Sequence, residues 1–414
     1  MDAERSNIAT SNNEQMKKQP TIIGIDGGAS KVSAHIIEVS EDGKSFTLGK
    51  QNSIKEYRNY HDFQTDFKPV ILTTQLEQIQ NNNIVLTSAE IKQSKAYYNA
   101  FSDAISVLVK LTKAENVFVG IGMPGIKTAD KRGIVAMANG PRMPIFANEI
   151  ERRIDTARIT LVKPITKLGS DADYCGIGEE YAENGSFRNF ENVYYLGGGT
   201  GAADAMKLHG KLATFDDCND WIAKTWEMSD ENGKSMEIYC SANGIQSIYS
   251  DLAGIAHSEL NDKKIYLEQI LELTAKNDKA AIATWQTVSK NLADLLFERI
   301  STIYCGSQNN YSFINLNKPP LIQNQNYTNT LLDGIVIGQR LGNLLLNPLS
   351  QKYLIEPLVK NLSTLIGNNK SLDRRAKSYY LKNGKFDDKI IIASQLCEAP
   401  ALGAGIAAFR NFKL

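Results

Sequence analysis

The sequence predicts an α/β protein of more than one domain. Three observations carry that expectation. Short apolar, β-rich runs end again and again in glycine-rich turns: Asp26-Gly27-Gly28, Gly122-Met123-Pro124-Gly125, Gly197-Gly198-Gly199-Thr200-Gly201 and Gly338. Segments of helical periodicity lie between those runs, an alternation typical of α/β architecture. The chain has 414 residues, 42% of them hydrophobic and 22% charged, enough for two or three separate cores.

The bulk numbers exclude several classes. Lys+Arg and Asp+Glu both total 46, so no general attraction to nucleic acid or an anionic membrane is expected. The five cysteines (Cys175, Cys218, Cys240, Cys305, Cys397) are scattered and contain no C-x-x-C, as in a reduced, cytoplasmic chain. The four histidines have no metal-ligand spacing. No apolar run approaches the ~18 residues of a membrane span. Residues 1–19 are polar and read as a disordered tail with no signal-peptide core.

Along the chain, residues 21–39 read as a hairpin around a turn of small residues, followed by Lys31. Such a turn lets backbone N–H groups approach a phosphate closely, and Asp26 at the strand end is placed to hold a cation, directly or through water. An ordinary Asp-Gly hairpin has the same pattern. Residues 46–48 and 70–72 read as strands, and 75–83 as a Gln/Asn-rich surface stretch. A helix is expected over 88–111 with Ser88 as its N-cap. Residues 116–122 form a buried strand ending in a glycine turn, the edge at which open α/β sheets place ligands. A short helix over 149–157 and a strand over 159–162 follow. Ser170 or Asp171 opens the next helix. There Asp171 is either a simple cap or a general base that takes a proton from an attacking hydroxyl. Residues 193–196 lead as a strand into the second glycine turn, and 202–240 read as irregular. Residues 252–305 are mostly helical, 306–330 a loop or insertion, 333–342 another buried strand ending in a glycine turn, 355–365 a helix, 389–394 a last strand and 399–412 a closing helix rich in small residues.

Taken together, these motifs resemble the ROK sugar kinases, members of the superfamily that holds actin, hexokinase and the heat-shock chaperone ATPases. Asp26-Gly27-Gly28-Ala29-Ser30-Lys31 resembles the D-x-G-G-T-K phosphate loop of that family. Gly120-Ile121-Gly122-Met123-Pro124-Gly125 is similar to its G-I-G-x-P-G segment. Ser170-Asp171-Ala172-Asp173 before Gly178-Glu179 resembles N-D-A-N…G-E, and Gly199-Thr200-Gly201 the second phosphate loop. Glu237-Ile238-Tyr239-Cys240-Ser241 is similar to E-A-Y-A-S, and residues 335–338 to the I-V-x-G-G adenosine segment.

The resemblance implies a two-lobed actin-like (ribonuclease H-like) ATPase fold with an interlobe cleft. It implies a small lobe over 20–150, joined by the helix from 399, and a large lobe over 151–398. It further implies ATP- and Mg²⁺-dependent phosphorylation of a hydroxyl on a hexose, N-acetylhexosamine or related sugar. Asp171 would be the base and Asp26 would position Mg²⁺. Gly27, Gly28, Ser30, Lys31, Gly199, Thr200 and Gly201 would cradle phosphates, with Gly338 near adenine or ribose. Asn139, Ser170, Glu227 and Glu237 would line the sugar pocket. A homodimer is left open.

The departures from the pattern are specific. Glu227 stands where the family's zinc-binding His belongs, and residues 229–236 are too few for its Cys-rich loop, so no structural zinc is expected. Ser170 replaces an Asn. Asp204 follows the second glycine turn and needs a cation if it faces phosphate. A catalytically degenerate sugar-binding sensor of the same fold would keep most of these residues. The turn from Asp26 to Ser30 taken alone fits a BadF-type ATPase or an acetamido-sugar kinase as well.

Overall fold

The computed structural model describes residues 19–410, so the tail expected over 1–19 lies outside the described residues but for Gln19. Two sheets are each built on the same device. In the first, β1 (Thr21–Gly27) and β2 (Lys31–Val39) form an antiparallel hairpin, with β3 (Phe46–Glu56) added beyond β2. Strand β4 (Asn116–Gly122) runs parallel to β1 on its other side, and the two-residue strands β5 (Thr160–Leu161) and β6 (Leu168–Gly169) pair with β4. In the second sheet, β7 (Val193–Gly198) turns back into β8 (Ala202–Leu208) and then β9 (Lys211–Ala213). Strand β10 (Gly334–Gly338) runs parallel to β7, and β11 (Ile391–Ala393) parallel to β10. Thus β1 and β7 each end in a glycine turn and each have a parallel neighbour whose C-terminal edge carries another glycine. Both sheets are covered on two faces, so their central strands are mostly apolar and buried, with Asp26 at the end of β1 an exception.

Helices fill the layers. Helix α1 (Leu72–Gln80) lies near the first sheet, and α2 (Ser88–Thr112) packs Phe101, Ala104 and Ile105 against Ile23, Ile25 and Val32. Helices α3 (Phe146–Thr156) and α4 (Asp171–Tyr181) follow. The second sheet is backed by α5 (Ala242–Ala253), α6 (Lys279–Cys305) and α8 (Glu356–Asn368), with α7 (Gln339–Leu345) starting where β10 ends. Helix α9 (Ala399–Arg410) returns to the first sheet.

The return of α9 explains three glycines. A Cβ on Gly24 or Gly120 would run into the carbonyls of Ala401 or Ala404, and one on Gly403 into the Tyr174 carbonyl. Backbone therefore touches backbone where α9 crosses β1, β4 and α4. On its other side α4 sets Cys175 against Tyr195, Ala203 and Ala205 of the second sheet. Helix α4 thereby touches both halves of the molecule, and its first residue is Asp171.

Several local expectations are corrected. Residues 70–72 form no strand; α1 begins there, and Gln75 is fully buried rather than on the surface. The Gln75 amide donates to the Val70 and Met137 carbonyls and accepts from Met137 N–H, a partnership between distant residues that no local pattern reveals. Thr87, not Ser88, caps α2, in a capping box with Glu90. Residues 202–240 are not irregular at their start, since β8 and β9 lie there. One strand of the first sheet, β5, lies within the strand expected over 159–162, whereas β6 is too short to leave a periodic signal. Among the described residues, no helix is long and apolar enough to cross a membrane.

Candidate active site

Two acidic groups from different elements meet at the ends of the glycine strands. Asp26 closes β1, pairing across the hairpin with Ser33 and alongside Gly122 of β4. Burial, then the charges of Asp171 and Glu398, push its carboxyl up to about 7, against a smaller opposing pull from Lys31. Asp26, Asp171, Glu398 and Lys31 thus share one locus. Glu398 is set there by α9, which it immediately precedes, and it lies 3.9 Å from His35 Nε2.

Helix α4 bears on the capping role left open for Asp171. Its cap is Ser170, whose Oγ accepts from Asp173 N–H at 3.0 Å. Asp171 accepts from its neighbour Ala172 N–H at 3.0 Å through Oδ1, leaving Oδ2 for another partner. Burial, outweighing the Ser170 hydrogen bond, raises the carboxyl of Asp173, and Asp216 and Asp171 add to the rise. Lys127 completes this acidic patch. Its ammonium donates to the carbonyls of Met123 at 2.6 Å and Gly125 at 2.7 Å. Burial brings it down to about 8, while Asp171, Asp173 and Asp216 pull the other way.

The first glycine turn is held from below. Gly28 N–H bonds the Lys31 carbonyl at 2.9 Å, leaving Ala29 and Ser30 as the exposed tip. Tyr57 and Tyr97 stack with ring centroids 3.7 Å apart. The Tyr57 hydroxyl donates to the Gly28 carbonyl at 3.2 Å and that of Tyr97 to the Ala29 carbonyl at 3.1 Å. With the carbonyls turned toward the tyrosines, the turn has little freedom to collapse. A Cβ on Gly27 would strike Met123 and come within 2.6 Å of Phe101.

The second turn is pinned by a helix start. Ala242 N–H, at the first position of α5, donates to the Gly199 carbonyl at 2.7 Å, and Gly199 N–H bonds the Gly201 carbonyl at 3.0 Å. Thr200 and Gly201 are exposed. A helix N-terminus beside a bare backbone turn favours an anion. Glu237 accepts from Ala202 N–H at 2.8 Å, and its Oε1 would lie 2.7 Å from a Cβ on Gly201. Burial raises its carboxyl, and Asp204 and Asp171 raise it further, so Glu237 belongs to the same locus as Asp171 while bracing the turn.

The remaining expected site residues have the following surroundings. Asn139 is exposed on a turn. Glu227 accepts from Lys224 N–H and from Lys318 Nζ, both at 2.8 Å, and so pairs with the 306–330 segment. Gly338 is buried against the Tyr195 ring, and the next residue, Gln339, faces the turn, with its amide against Gly197 and Gly199 and Nε2 on Cys175 Sγ at 3.6 Å. Gln339 has φ +58°, a left-handed conformation that disfavours a non-glycine residue by about 1–2 kcal/mol. Asp204 points away from the turn. It accepts from the Tyr194 hydroxyl and Thr225 Oγ1, both at 2.6 Å, and pairs with buried Arg299 at 3.3 Å. The cation that Asp204 requires is thus an arginine in the core.

Lys127, Gln339, Glu398 and the Tyr57–Tyr97 stack were not expected. Lys127 lies two residues past one recognised motif and Gln339 one residue past another, so reading slightly further could have found both. Glu398 and the tyrosines come from distant segments and leave no local signal.

No family model matches the sequence, and no curated protein matches it either. Solved structures do match in fold. A ROK family glucokinase from Streptomyces griseus, in complex with glucose and AMPPNP, is 13% identical with a TM-score of 0.54, over 93% of this chain and 98% of that one. A glucokinase from Parabacteroides distasonis is 16% identical with a TM-score of 0.52, over 96% of this chain and 99% of that one. A ROK family transcriptional regulator is 13% identical with a TM-score of 0.52, over 94% of this chain and 78% of that one. The chain has the two-lobed, actin-like α/β fold of these proteins, the fold of the ROK sugar kinases.

Proposed function

We propose that this protein is an ATP-dependent sugar kinase of the ROK type. The carrying observation is that Asp26 and Asp171, from different elements, share one charged locus at the ends of β1 and β4 near two braced glycine turns. Burial and the neighbouring carboxylates raise the Asp26 carboxyl to about 7, a charge that a bound cation would offset, and Mg²⁺ favours one or two carboxylates plus phosphate oxygens. Among the described residues, no three His, Cys, Asp or Glu side chains converge on a metal site, so the remaining ligands would be phosphate and water. Bound ATP–Mg²⁺ would supply the phosphoryl group and neutralise charge as it transfers.

The chain's own groups then have separable tasks. The turns at Gly27, Gly28, Ser30 and Lys31 and at Gly199, Thr200 and Gly201 bind phosphate through backbone N–H groups. Asp171 accepts the proton of the sugar hydroxyl. Lys127 holds the 122–127 turn beside it and limits the build-up of negative charge. Asn139 and Ser170 offer polar contacts to a sugar, whose buried hydroxyls each need a partner at a cost of roughly 1–3 kcal/mol if left without one. Closure of the lobes excludes water and suppresses ATP hydrolysis.

Calorimetry with AMPPNP–Mg²⁺ and a panel of hexoses and N-acetylhexosamines tests the reading at the level of binding. The expected result is nucleotide binding that weakens in Asp26→Asn. Sugar binding without any nucleotide binding would favour a sensor instead.

A further inference from the structure

We infer that Gln339 is a ligand-contacting residue of the second glycine turn, whose side-chain amide donates a hydrogen bond to a phosphate oxygen of the bound nucleotide; this role rests on the kinase reading proposed above. The backbone gives the first sign. Gln339 has φ +58°, in the left-handed region that glycine enters freely and a residue with a side chain does not. Such residues persist only where their surroundings hold them, and they cluster at binding and catalytic sites. Here the preceding residue holds the backbone. Gly338 pairs with Gly197 of β7, and a Cβ on Gly338 would run into the Tyr195 ring.

The side chain lies over the turn. Its Cδ is 3.2 Å from where a Cβ on Gly197 would be, and its Oε1 stands against the place of a Cβ on Gly199. Two glycines of the turn thus make room for one carboxamide. Gln339 is half-buried, and the adjoining Thr200 and Gly201 are exposed.

That carboxamide is poorly matched where it lies. It carries two N–H donors and an acceptor oxygen. Among the described residues, its one side-chain hydrogen bond runs from Nε2 to Cys175 Sγ at 3.6 Å, and a thiol sulfur is a weak acceptor. A phosphate oxygen is a much stronger one, because its charge assists the bond. The turn beneath favours an anion, since the first N–H of α5 donates to the Gly199 carbonyl at 2.7 Å. An under-used donor therefore lies against a backbone turn suited to phosphate. Cys175 follows Asp171 by four residues in α4, one helical turn along the same face. Gln339 thus also joins the second turn to the helix that carries Asp171.

Titration calorimetry of AMPPNP–Mg²⁺ on the full chain tests this, with wild type beside Gln339→Gly, Gln339→Ala and Gln339→Glu and with thermal melts of each ligand-free protein. Gln339→Gly is expected to raise the melting temperature, because glycine takes φ +58° without penalty. It should nevertheless weaken nucleotide binding about tenfold or more, as expected for a lost hydrogen bond to a charged group. Gln339→Ala keeps the strained backbone and should lose as much binding with no gain in stability. Gln339→Glu keeps the shape but sets a carboxylate against phosphate, and should bind weakest. Wild-type affinity in both Gln339→Gly and Gln339→Ala, or in Gln339→Glu, would overturn the role of Gln339 and leave the kinase reading standing. No nucleotide binding by the wild type would overturn the kinase reading, and this role with it.

Discussion

At the scale of single residues, the proposed function gives Asp171 and Asp26 different tasks, and each has its own signature. Ser170 supplies the helix cap, so the Asp171 carboxylate is spared that work. Asp171→Asn should reduce kcat by about 10²–10⁴-fold, the range for a lost general base, with the melting temperature nearly unchanged. Single-turnover kinetics beside a thermal melt would check both halves. Asp26 carries a folded-state carboxyl at about 7 against 3.8 when unfolded. The folded state therefore binds its proton more tightly than the unfolded state does. The stability this gives is fully present below about 3.8, shrinks as pH rises and is lost above about 7. Asp26→Asn should accordingly raise the melting temperature of the ligand-free protein at pH 8 and leave it unchanged near pH 4, a gap readable in melts across that range. An equal effect at both ends would remove burial of charge as the cause.

At the scale of elements, the decisive contact is α9 against β1, β4 and α4. Gly120→Ala would place a methyl in the path of the Ala404 carbonyl, with Gly405 N only 3.0 Å away. Overpacking of this kind costs typically about 1–3 kcal/mol, and urea denaturation should register it. Activity should fall as well, because α9 sets both Glu398 and α4. Much of this architecture is legible in the sequence. A strand running into a glycine turn, at Asp26 and again at Gly199, marks both turns, and the small residues of α9 announce close packing. What is illegible has a physical reason. Strand β6 is two residues long and has no periodicity. Strand β8 is buried on both faces, so its apolar run lacks alternation, and Asp204 within it suggests a loop until Arg299 is seen. Gln75, with its polar side chain fully buried, looks like a surface residue because its partner at Met137 is far along the chain.

At the scale of the whole molecule, two sheets of like construction are joined through α4 and α9. The second sheet carries its own buried polar knot of Asp204, Thr225, Tyr194 and Arg299. Removing one partner leaves a buried charge without compensation, at roughly 3–5 kcal/mol. Arg299→Met should therefore lower the chemical-denaturation midpoint sharply, and Asp204→Asn paired with it should recover part of the loss. The proposed function is that the locus near the two glycine turns transfers a phosphoryl group to a sugar. Its most direct test is mass spectrometry of hexoses, N-acetylhexosamines and cyclitols incubated with ATP and Mg²⁺, with the wild type beside Asp171→Ala. The prediction is a gain of one phosphate on a particular sugar, lost with Asp171→Ala. Binding of nucleotide and sugar by the wild type with no phosphorylated product across the panel would contradict it.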